Sequence, residues 1–229
     1  MYITPAFDFF PSNLIQIMST STLRSAFSAG SLLAKAVYLV LVLLTLYFVF
    51  TRAIPYLDYS YSVEQYGTQS LLIFTHVVFG ITATLLGPFQ FVSVIRKKNV
   101  RVHRTMGKVY LLSTITAALV SWMVILPRDG GIAYKSGLFF LGFAWISCGV
   151  MAYLAIRRQK VEIHREWMVR SYVVTLAFVT FRLLYDILKP YHIEGTGAMM
   201  AWGCWALPLF ITEIVFQVRK IYGREEPGV

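Results

Sequence analysis

The stretch NVRVHRTMGKVYLLSTITAALVSWMVILP (99–127) decides the fold class of this chain, because in it a basic loop passes directly into an apolar run. A helix needs roughly 20 predominantly apolar residues to cross the hydrocarbon core of a bilayer. Residues 107–127 meet this requirement. Similar runs occur at about 33–53, 69–95, 135–157, 168–188 and 197–218. The sequence therefore predicts an all-α integral membrane protein, a bundle of six spans.

The basic residues of the chain are concentrated in the loop between spans two and three and in the loop between spans four and five. Lys and Arg are enriched in the short cytoplasmic loops of membrane proteins. We therefore expect both loops, and with them the N and C termini, to be cytoplasmic. This topology accounts for the net charge of +10 without a nucleic-acid partner. It also makes anionic lipid headgroups the expected partners of these loops.

The six spans occupy nearly the whole chain, which favours a single bundle. Residues 1–30 are expected to form an interfacial arm, 31–220 the six-span bundle, and 221–229 a short cytoplasmic tail. Cys148 and Cys204 each stand alone in an apolar run, which argues against a disulfide framework and a thiolate metal site. The sequence has no glycine-rich phosphate loop, zinc-protease motif or nucleophile elbow, and it leaves open whether the protein is an enzyme.

Polar and small residues recur at steps of three and four along four of the spans. Polar groups are costly in a bilayer and normally face the bundle interior, so these stripes predict the inward faces. The stripe of span two is His76, Gly80, Ala83, Gly87 and Gln90. That of span three is His103, Gly107, Tyr110, Thr114, Ala117 and Ser121. That of span five is His164, Met168, Ser171, Thr175, Phe178, Arg182 and Asp186. That of span six is Gly203, Ala206, Phe210, Glu213 and Gln217.

These stripes predict two polar layers at different depths, because each residue of a helix advances about 1.5 Å along the axis. Spans three and five both begin with a His-Arg pair on the cytoplasmic side, so their histidines are expected at one level. The inner layer comprises His103, Arg104, His164 and Arg165, with Glu213 nearby. The outer layer comprises His76, Arg182, Asp186 and His192.

Several short motifs carry a resemblance to a known family. They are His76 with GPFQF (87–91), HRTMGKVYLL (103–112), HREWMVRSYVVT (164–175), TFR (180–182), and WGCW (202–205) followed by Glu213. The chain resembles, from about residue 70 to 215, the domain of unknown function 2306, a family of multi-span membrane proteins found mainly in bacteria. The family pattern continues with Pro-Asn after GCW, whereas this chain reads ALPLF (206–210). The resemblance implies the six-span layout and a bacterial inner-membrane location, and it implies no reaction.

The paired histidines lead to a specific hypothesis, a b-type haem held between spans three and five. The layout is similar to that of the ascorbate-reducing cytochromes b, in which histidines of facing helices ligate the iron. On this reading His103 and His164 are the iron ligands, Arg104 and Arg165 contact the propionates, and the lining includes Tyr110 and Met168. Those cytochromes carry ligands on spans two to five, whereas span four here has no histidine. The resemblance therefore allows one haem only.

Both polar layers also have simpler interpretations. The His-Arg pairs could anchor the helices at the membrane interface and bind lipid phosphate. In the outer layer, Arg182 and Asp186 lie one turn apart and could form a structural ion pair with His76 hydrogen-bonded nearby. Alternatively, the same residues could form a proton or quinone site. Glu213 needs a proton or a partner at its depth.

The leading functional hypothesis is therefore membrane electron transfer with one haem b, and with a quinone contacting the outer layer. A second hypothesis is a non-catalytic scaffold or assembly subunit that binds partner subunits of a larger membrane complex. A third is a small proton-linked carrier that uses His76, Arg182 and Asp186. The sequence shows no inverted repeat or broken helix of the kind that many carriers contain.

Overall fold

The computed structural model describes residues 36–127, 129, 131–192 and 194–222. These residues contain helices and no strands, and six helical segments are long and apolar enough to cross a membrane. The segments are Ala36–Leu57, Tyr59–Phe91, Val100–Ile125, Ile132–Arg157, Val161–Leu188 and Thr196–Tyr222. The prediction of an all-α, six-span membrane protein is confirmed. The interfacial arm expected at 1–30 and nearly all of the expected tail lie outside the described residues.

The individual helices are named here in chain order. They are α1 (36–48), α2 (Tyr59–Tyr66), α3 (Ser70–Phe91), α4 (Ser93–Lys98), α5 (Val100–Ile125), α6 (Ile132–Arg157), α7 (Val161–Thr175), α8 (Ala177–Leu188) and α9 (Thr196–Tyr222). Span one ends in a π turn, Val49–Ala53, and a 3₁₀ turn, Ile54–Leu57. Span two combines α2 and α3, span five combines α7 and α8, and the other spans are single helices.

The chain divides into two units at Leu44, and all the packing described below belongs to the unit that begins there. In this unit span two packs against span three, and span four contacts spans three, five and six. The connections at 92–99, which include α4, and at 158–160 define one end of the bundle, the basic end. The described residues of the other connections, 58, 126–127, 129, 131, 189–192 and 194–195, define the opposite end, the cavity end. The cytoplasmic position of the basic end stays a prediction.

A tight turn joins spans four and five at the basic end. Gln159 adopts a left-handed conformation with φ of 58°, and the Lys160 N–H donates to the Ala155 carbonyl at 3.0 Å. The turn places the first residues of α7 antiparallel to the last residues of α6. His164 can therefore reach the backbone of the preceding helix.

Three spans contain an irregular segment among the described residues. Span one contains the π turn Val49–Ala53, a feature that is rare and often found at functional sites. Span two contains the 3₁₀ turn Gly67–Gln69 between α2 and α3. Span five is interrupted at Leu176, between α7 and α8, although the Leu176 N–H still donates to the Tyr172 carbonyl and the Leu176 carbonyl still accepts from Thr180.

The inward faces expected for spans two, three and five are largely correct. Ala83, Tyr110, Ala117 and Ser171 are all buried, and Ala83 and Tyr110 belong to one hydrophobic core cluster. Span six is rotated from the expected face, because Phe210 is 64% exposed. Its buried residues are Met200, Ala201, Cys204 and Trp205. Both cysteines are buried and free.

Candidate functional site

A cavity of about 270 Å³ lies between the helices toward the cavity end. Its walls come from the π turn of span one, the first half of span two, the start of span four, the region around the break in span five, and Cys204 of span six. The π turn of span one and the segment around Leu176 in span five thus line the same space. Small-molecule sites in proteins are typically about 300–1,000 Å³ and mostly apolar with a few polar groups. The cavity is near the lower limit of that range.

His76 lines the cavity, and one of its ring nitrogens has a defined partner. Its Nδ1 lies 2.9 Å from the Ala117 carbonyl oxygen of α5. A carbonyl oxygen only accepts, so Nδ1 carries the proton and donates. Nε2 of a neutral His76 is therefore an acceptor or a metal ligand. The structural interpretation of the outer layer expected His76 to be hydrogen-bonded across the bundle, and the structure shows such a bond, to span three.

Arg182 also lines the cavity, but it does not pair with Asp186 as the sequence suggested. The Asp186 carboxylate instead accepts two hydrogen bonds from Arg52 Nη2, at 3.1 and 3.0 Å. Arg52 comes from the π turn of span one, which presents its side chain to span five. Arg182 makes no ion pair with any described residue, and its guanidinium carbon lies 5.9 Å from the centre of the Phe178 ring.

His192, the fourth residue expected in the outer layer, lies apart from this cavity. It is exposed in the turn after α8, with a left-handed φ of 47°, and it does not line the cavity. The structure therefore brings together His76 and Arg182, adds Arg52, and leaves His192 outside.

A buried network of hydrogen-bonded hydroxyl groups lies beside the interruption of span five at Leu176. The Thr175 hydroxyl donates to the Ser171 carbonyl at 2.9 Å, so its oxygen must accept from both Trp145 Nε1 and the Tyr110 hydroxyl, each at 2.8 Å. Since the Tyr110 proton is used in this way, the Ser171 hydroxyl donates to Tyr110 Oη at 2.9 Å. Each hydroxyl group and the Trp145 N–H thus donates one hydrogen bond. Tyr110 therefore belongs to this network in the core.

The histidines at the basic end occupy equivalent positions in their helices. His103 is the fourth residue of α5 and His164 is the fourth residue of α7, because both helices begin earlier than the apolar runs indicated. His164 Nδ1 donates to the Ala152 carbonyl of α6 at 2.8 Å, so its Nε2 is the nitrogen left to bind a ligand.

Two buried polar atoms near these histidines lack a hydrogen-bond partner within the described part of the chain. They are His103 Nδ1 and Gln90 Nε2. Gln90 lies against span three near Gly107, one turn beyond His103, because a Cβ at Gly107 would lie 3.3 Å from Gln90 Oε1. Buried polar groups are rarely left unpaired, so each one requires an explanation such as a water or a ligand.

The remaining residues of the haem hypothesis are dispersed around the basic end. Arg104 is exposed, and Arg165 is paired with Glu162 of the same helix. Met168 is half-buried and packs against the core cluster that contains Tyr110. The arginines are thus at the surface near the histidines, whereas Tyr110 and Met168 lie deeper in the bundle.

The sequence analysis missed an ion network at the basic end, centred on Arg170. Arg170 Nη2 lies 2.6 Å from Glu213, and Nη1 lies 3.4 Å from Glu166. Its guanidinium carbon lies 4.8 Å from the centre of the Trp167 ring and 4.7 Å from that of Phe216. This network provides the partner that Glu213 was expected to need. The i, i+4 spacing of Glu166 and Arg170 was the available signal.

Comparison with known proteins gives one match. Residues 73–216 match the family described as predicted membrane protein, DUF2306. The chain belongs to the DUF2306 family. No curated protein and no solved structure matches the chain.

The DUF2306 region contains all three histidines that lie within spans, and it also contains the Arg170 network. Arg52 lies before its first residue, although Arg52 lines the cavity and pairs with Asp186. The cavity of this DUF2306 protein is therefore completed by a segment outside the matched region.

No group of three or more His, Cys, Asp or Glu side chains with metal-binding geometry occurs among the described residues of the DUF2306 protein. The His103–His164 pair is smaller than such a group. Two axial histidines are sufficient for a haem, because the macrocycle supplies the other four iron ligands. The donor set at the basic end therefore suits a haem better than a bare metal ion.

Proposed function

We propose that this membrane protein transfers electrons and holds one b-type haem at the basic end, where His103 and His164 would bind the iron. The observation that carries the proposal is the equivalent position of the two histidines, each the fourth residue of its helix, on helices joined by the hydrogen bond between Ser171 and Tyr110. A pair of histidines from two facing helices at one depth suits haem binding. The haem would supply reversible one-electron transfer when bound.

The hydrogen bonds of the two imidazoles support this proposal. Metal-ligating histidines almost always donate their other ring N–H to a carbonyl, a carboxylate or water, which fixes the ring and its tautomer. His164 makes such a bond to the Ala152 carbonyl. His103 Nδ1 is buried without a described hydrogen-bond partner, and a bound group would supply one.

The surrounding residues have separate roles in the proposal. Arg104 and Arg165 stand at the surface beside the histidines, where their guanidinium groups can bind propionates. The Glu162 partner of Arg165 is also exposed, so this ion pair can exchange at little cost. Tyr110 and Met168 hold the core above the site and are not ligands.

A reduced-minus-oxidised absorbance spectrum of the full-length protein tests the proposal. The protein is expressed with ample haem, purified in detergent, and compared with His103→Ala and His164→Ala. We expect a b-type difference spectrum in the wild type and its loss in both variants. His192→Asn is the matched control, because His192 is exposed and Asn tolerates its left-handed backbone. This variant should keep the full spectrum.

Two results would contradict the proposal. Colourless wild-type protein would favour the scaffold hypothesis, in which the histidines are structural. A spectrum that persists in both alanine variants would place the haem ligands elsewhere. Size-exclusion profiles of all variants show whether a lost spectrum reflects lost folding.

A further inference from the structure

The cavity has a polar end and an apolar body. Arg52, Tyr56, Tyr66 and Arg182 line it near the cavity end. Most of its other lining residues are apolar and include Val77, Ile81 and Leu141, and the polar ones among them include His76, Thr84 and Thr175. A molecule with a polar head and a short apolar body would match this arrangement.

The charges along the cavity do not balance. Two arginines line it, and the described lining residues include no Asp or Glu. The charge of Arg52 is compensated by Asp186 at 3.0 Å. Arg182 has no acidic partner among the described residues, and its guanidinium carbon lies 5.9 Å from the centre of the Phe178 ring. The cavity therefore carries one uncompensated positive charge.

This charge cannot be removed by deprotonation, because a guanidinium stays protonated in proteins. A charge within a membrane bundle is normally paired or solvated. Arginine and carboxylate groups match in geometry, since the guanidinium can donate two parallel hydrogen bonds. An anionic head of one charge would compensate Arg182 and leave the Arg52–Asp186 pair intact.

The space for the apolar body is open at Gly80. A Cβ at this position would meet no atom within 4 Å, and Gly80 lines the cavity. Seven residues further along the same face, a Cβ at Gly87 would collide with the Tyr172 ring at 2.1 Å. The cavity is therefore a local opening in the packing of span two, whereas the packing at Gly87 is closed by the Tyr172 ring.

We propose that this cavity binds a lipophilic monoanion, an apolar chain or ring with one carboxylate that pairs with Arg182. The proposal is independent of the haem at the basic end. It replaces the quinone expected at His76 and Arg182, because a neutral quinone would accept hydrogen bonds and leave the positive charge in place.

Binding of radiolabelled decanoate to the full-length protein in phosphatidylcholine nanodiscs tests the proposal. Unlabelled decanol and decylubiquinone serve as competitors of the same chain length without the charge, and empty nanodiscs give the background. We expect decanoate to bind at least about tenfold more tightly than decanol, since a charge-assisted pair contributes roughly this factor. Arg182→Gln should abolish this preference, and Arg182→Lys should retain it.

A second pair of variants tests the apolar body of the site. Gly80→Val fills the open wall and should weaken the binding of decanoate by about tenfold or more. Gly203→Val is its matched control, because a Cβ at Gly203 also meets no atom within 4 Å but Gly203 does not line the cavity. This control should bind as the wild type does.

Three results would overturn the proposal. Decanol could bind as tightly as decanoate, which would remove the role of the charge. Arg182→Gln could keep the preference for decanoate, which would place the anion elsewhere. Decylubiquinone could displace decanoate at lower concentration in the wild type, which would make the ligand a neutral ring compound.

Discussion

Gly80 and Gly87 lie on the same face of span two, yet they border opposite kinds of packing. Gly87 is buried against the Tyr172 ring of span five, which fills the space that the missing side chain leaves. Nothing fills the space at Gly80, and the cavity begins there. Small residues allow helices to approach closely. Whether they produce a contact or a cavity depends on the side chain that faces them.

The same difference separates the charged groups at the two ends. At the basic end Arg170 is enclosed by two aromatic rings and two carboxylates. At the cavity end Arg182 has the Phe178 ring nearby and no described carboxylate. The charge of Arg170 is thus compensated within the protein, whereas that of Arg182 is not. We take Arg182 as a place where an external molecule contributes to the structure.

The largest effect is expected when the basic end loses Arg170, the arginine at the centre of its ion network. Arg170→Leu leaves the Glu213 carboxylate without its arginine partner, and breaking a buried pair from one side costs roughly 3–5 kcal/mol. The Glu213 side chain is 43% exposed, so we expect a value of about 3 kcal/mol, at the lower limit of that range. Thermal unfolding in detergent measures it.

A double variant sharpens this prediction. Arg170→Leu with Glu213→Leu removes both charges and should recover part of the lost stability, because well-packed apolar residues often replace a buried ion pair without loss. Arg101→Leu, at an exposed position of the same end, is the control and should change stability by less than about 0.5 kcal/mol. Equal stability of Arg170→Leu and the control would contradict the interpretation.

The second prediction compares the two glycines directly. Gly87→Ala places a methyl group 2.1 Å from Tyr172 Cε2, so the ring must move, and overpacking of this kind costs about 1–3 kcal/mol. Gly80→Ala should be tolerated, since nothing lies within 4 Å. The melting temperatures of the two variants should therefore differ clearly. If Gly80→Ala is the less stable variant, the contrast between closed and open packing is wrong.

The third prediction concerns the buried hydroxyl network, which lies between the basic end and the cavity end. Tyr110→Phe keeps the ring but removes the hydroxyl that Ser171 and Thr175 contact. Ser171 is fully buried, so its hydroxyl would lack an acceptor, at a cost of about 1–2 kcal/mol. Tyr191→Phe, at a side chain that is 68% exposed, is the control and should leave the melting temperature unchanged. An equal loss in both variants would exclude a structural role for the network.

The smallest effect is expected at the cavity end. Asp186→Asn breaks the pair with Arg52, whose side chains are 44% and 39% exposed. Exposed ion pairs contribute about 0–1 kcal/mol and are screened by salt. The variant should therefore lose little stability at low ionic strength and none in high salt. A loss of stability as large as that of Arg170→Leu would mean that the charged groups at the two ends contribute equally to stability.

The sequence predicted the spans and most of the inward faces for a physical reason. A bilayer requires long apolar segments and penalises outward polar groups, so His76, Tyr110 and Ser171 could be assigned to the interior from their spacing alone. The equivalent positions of His103 and His164 followed from the repeated His-Arg pair.

Other features depend on contacts that spacing cannot distinguish. Asp186 is one turn from Arg182, but its partner is Arg52, which is 134 residues away in the chain. The break in span five occurs at Leu176 within VVTLAFVT (173–180), where no proline or glycine indicates it. Span six carries small and aromatic residues on several faces, so its stripe was assigned to the wrong side.

The interruption at Leu176 divides span five into two helical segments, although the hydrogen bonds from Leu176 to Tyr172 and from Thr180 to Leu176 continue across it. The segment toward the basic end carries Arg170, and the other carries Arg182 and Asp186. One membrane crossing thus supplies an arginine to each end of the bundle, one neutralised by carboxylates of the protein and one available to a ligand.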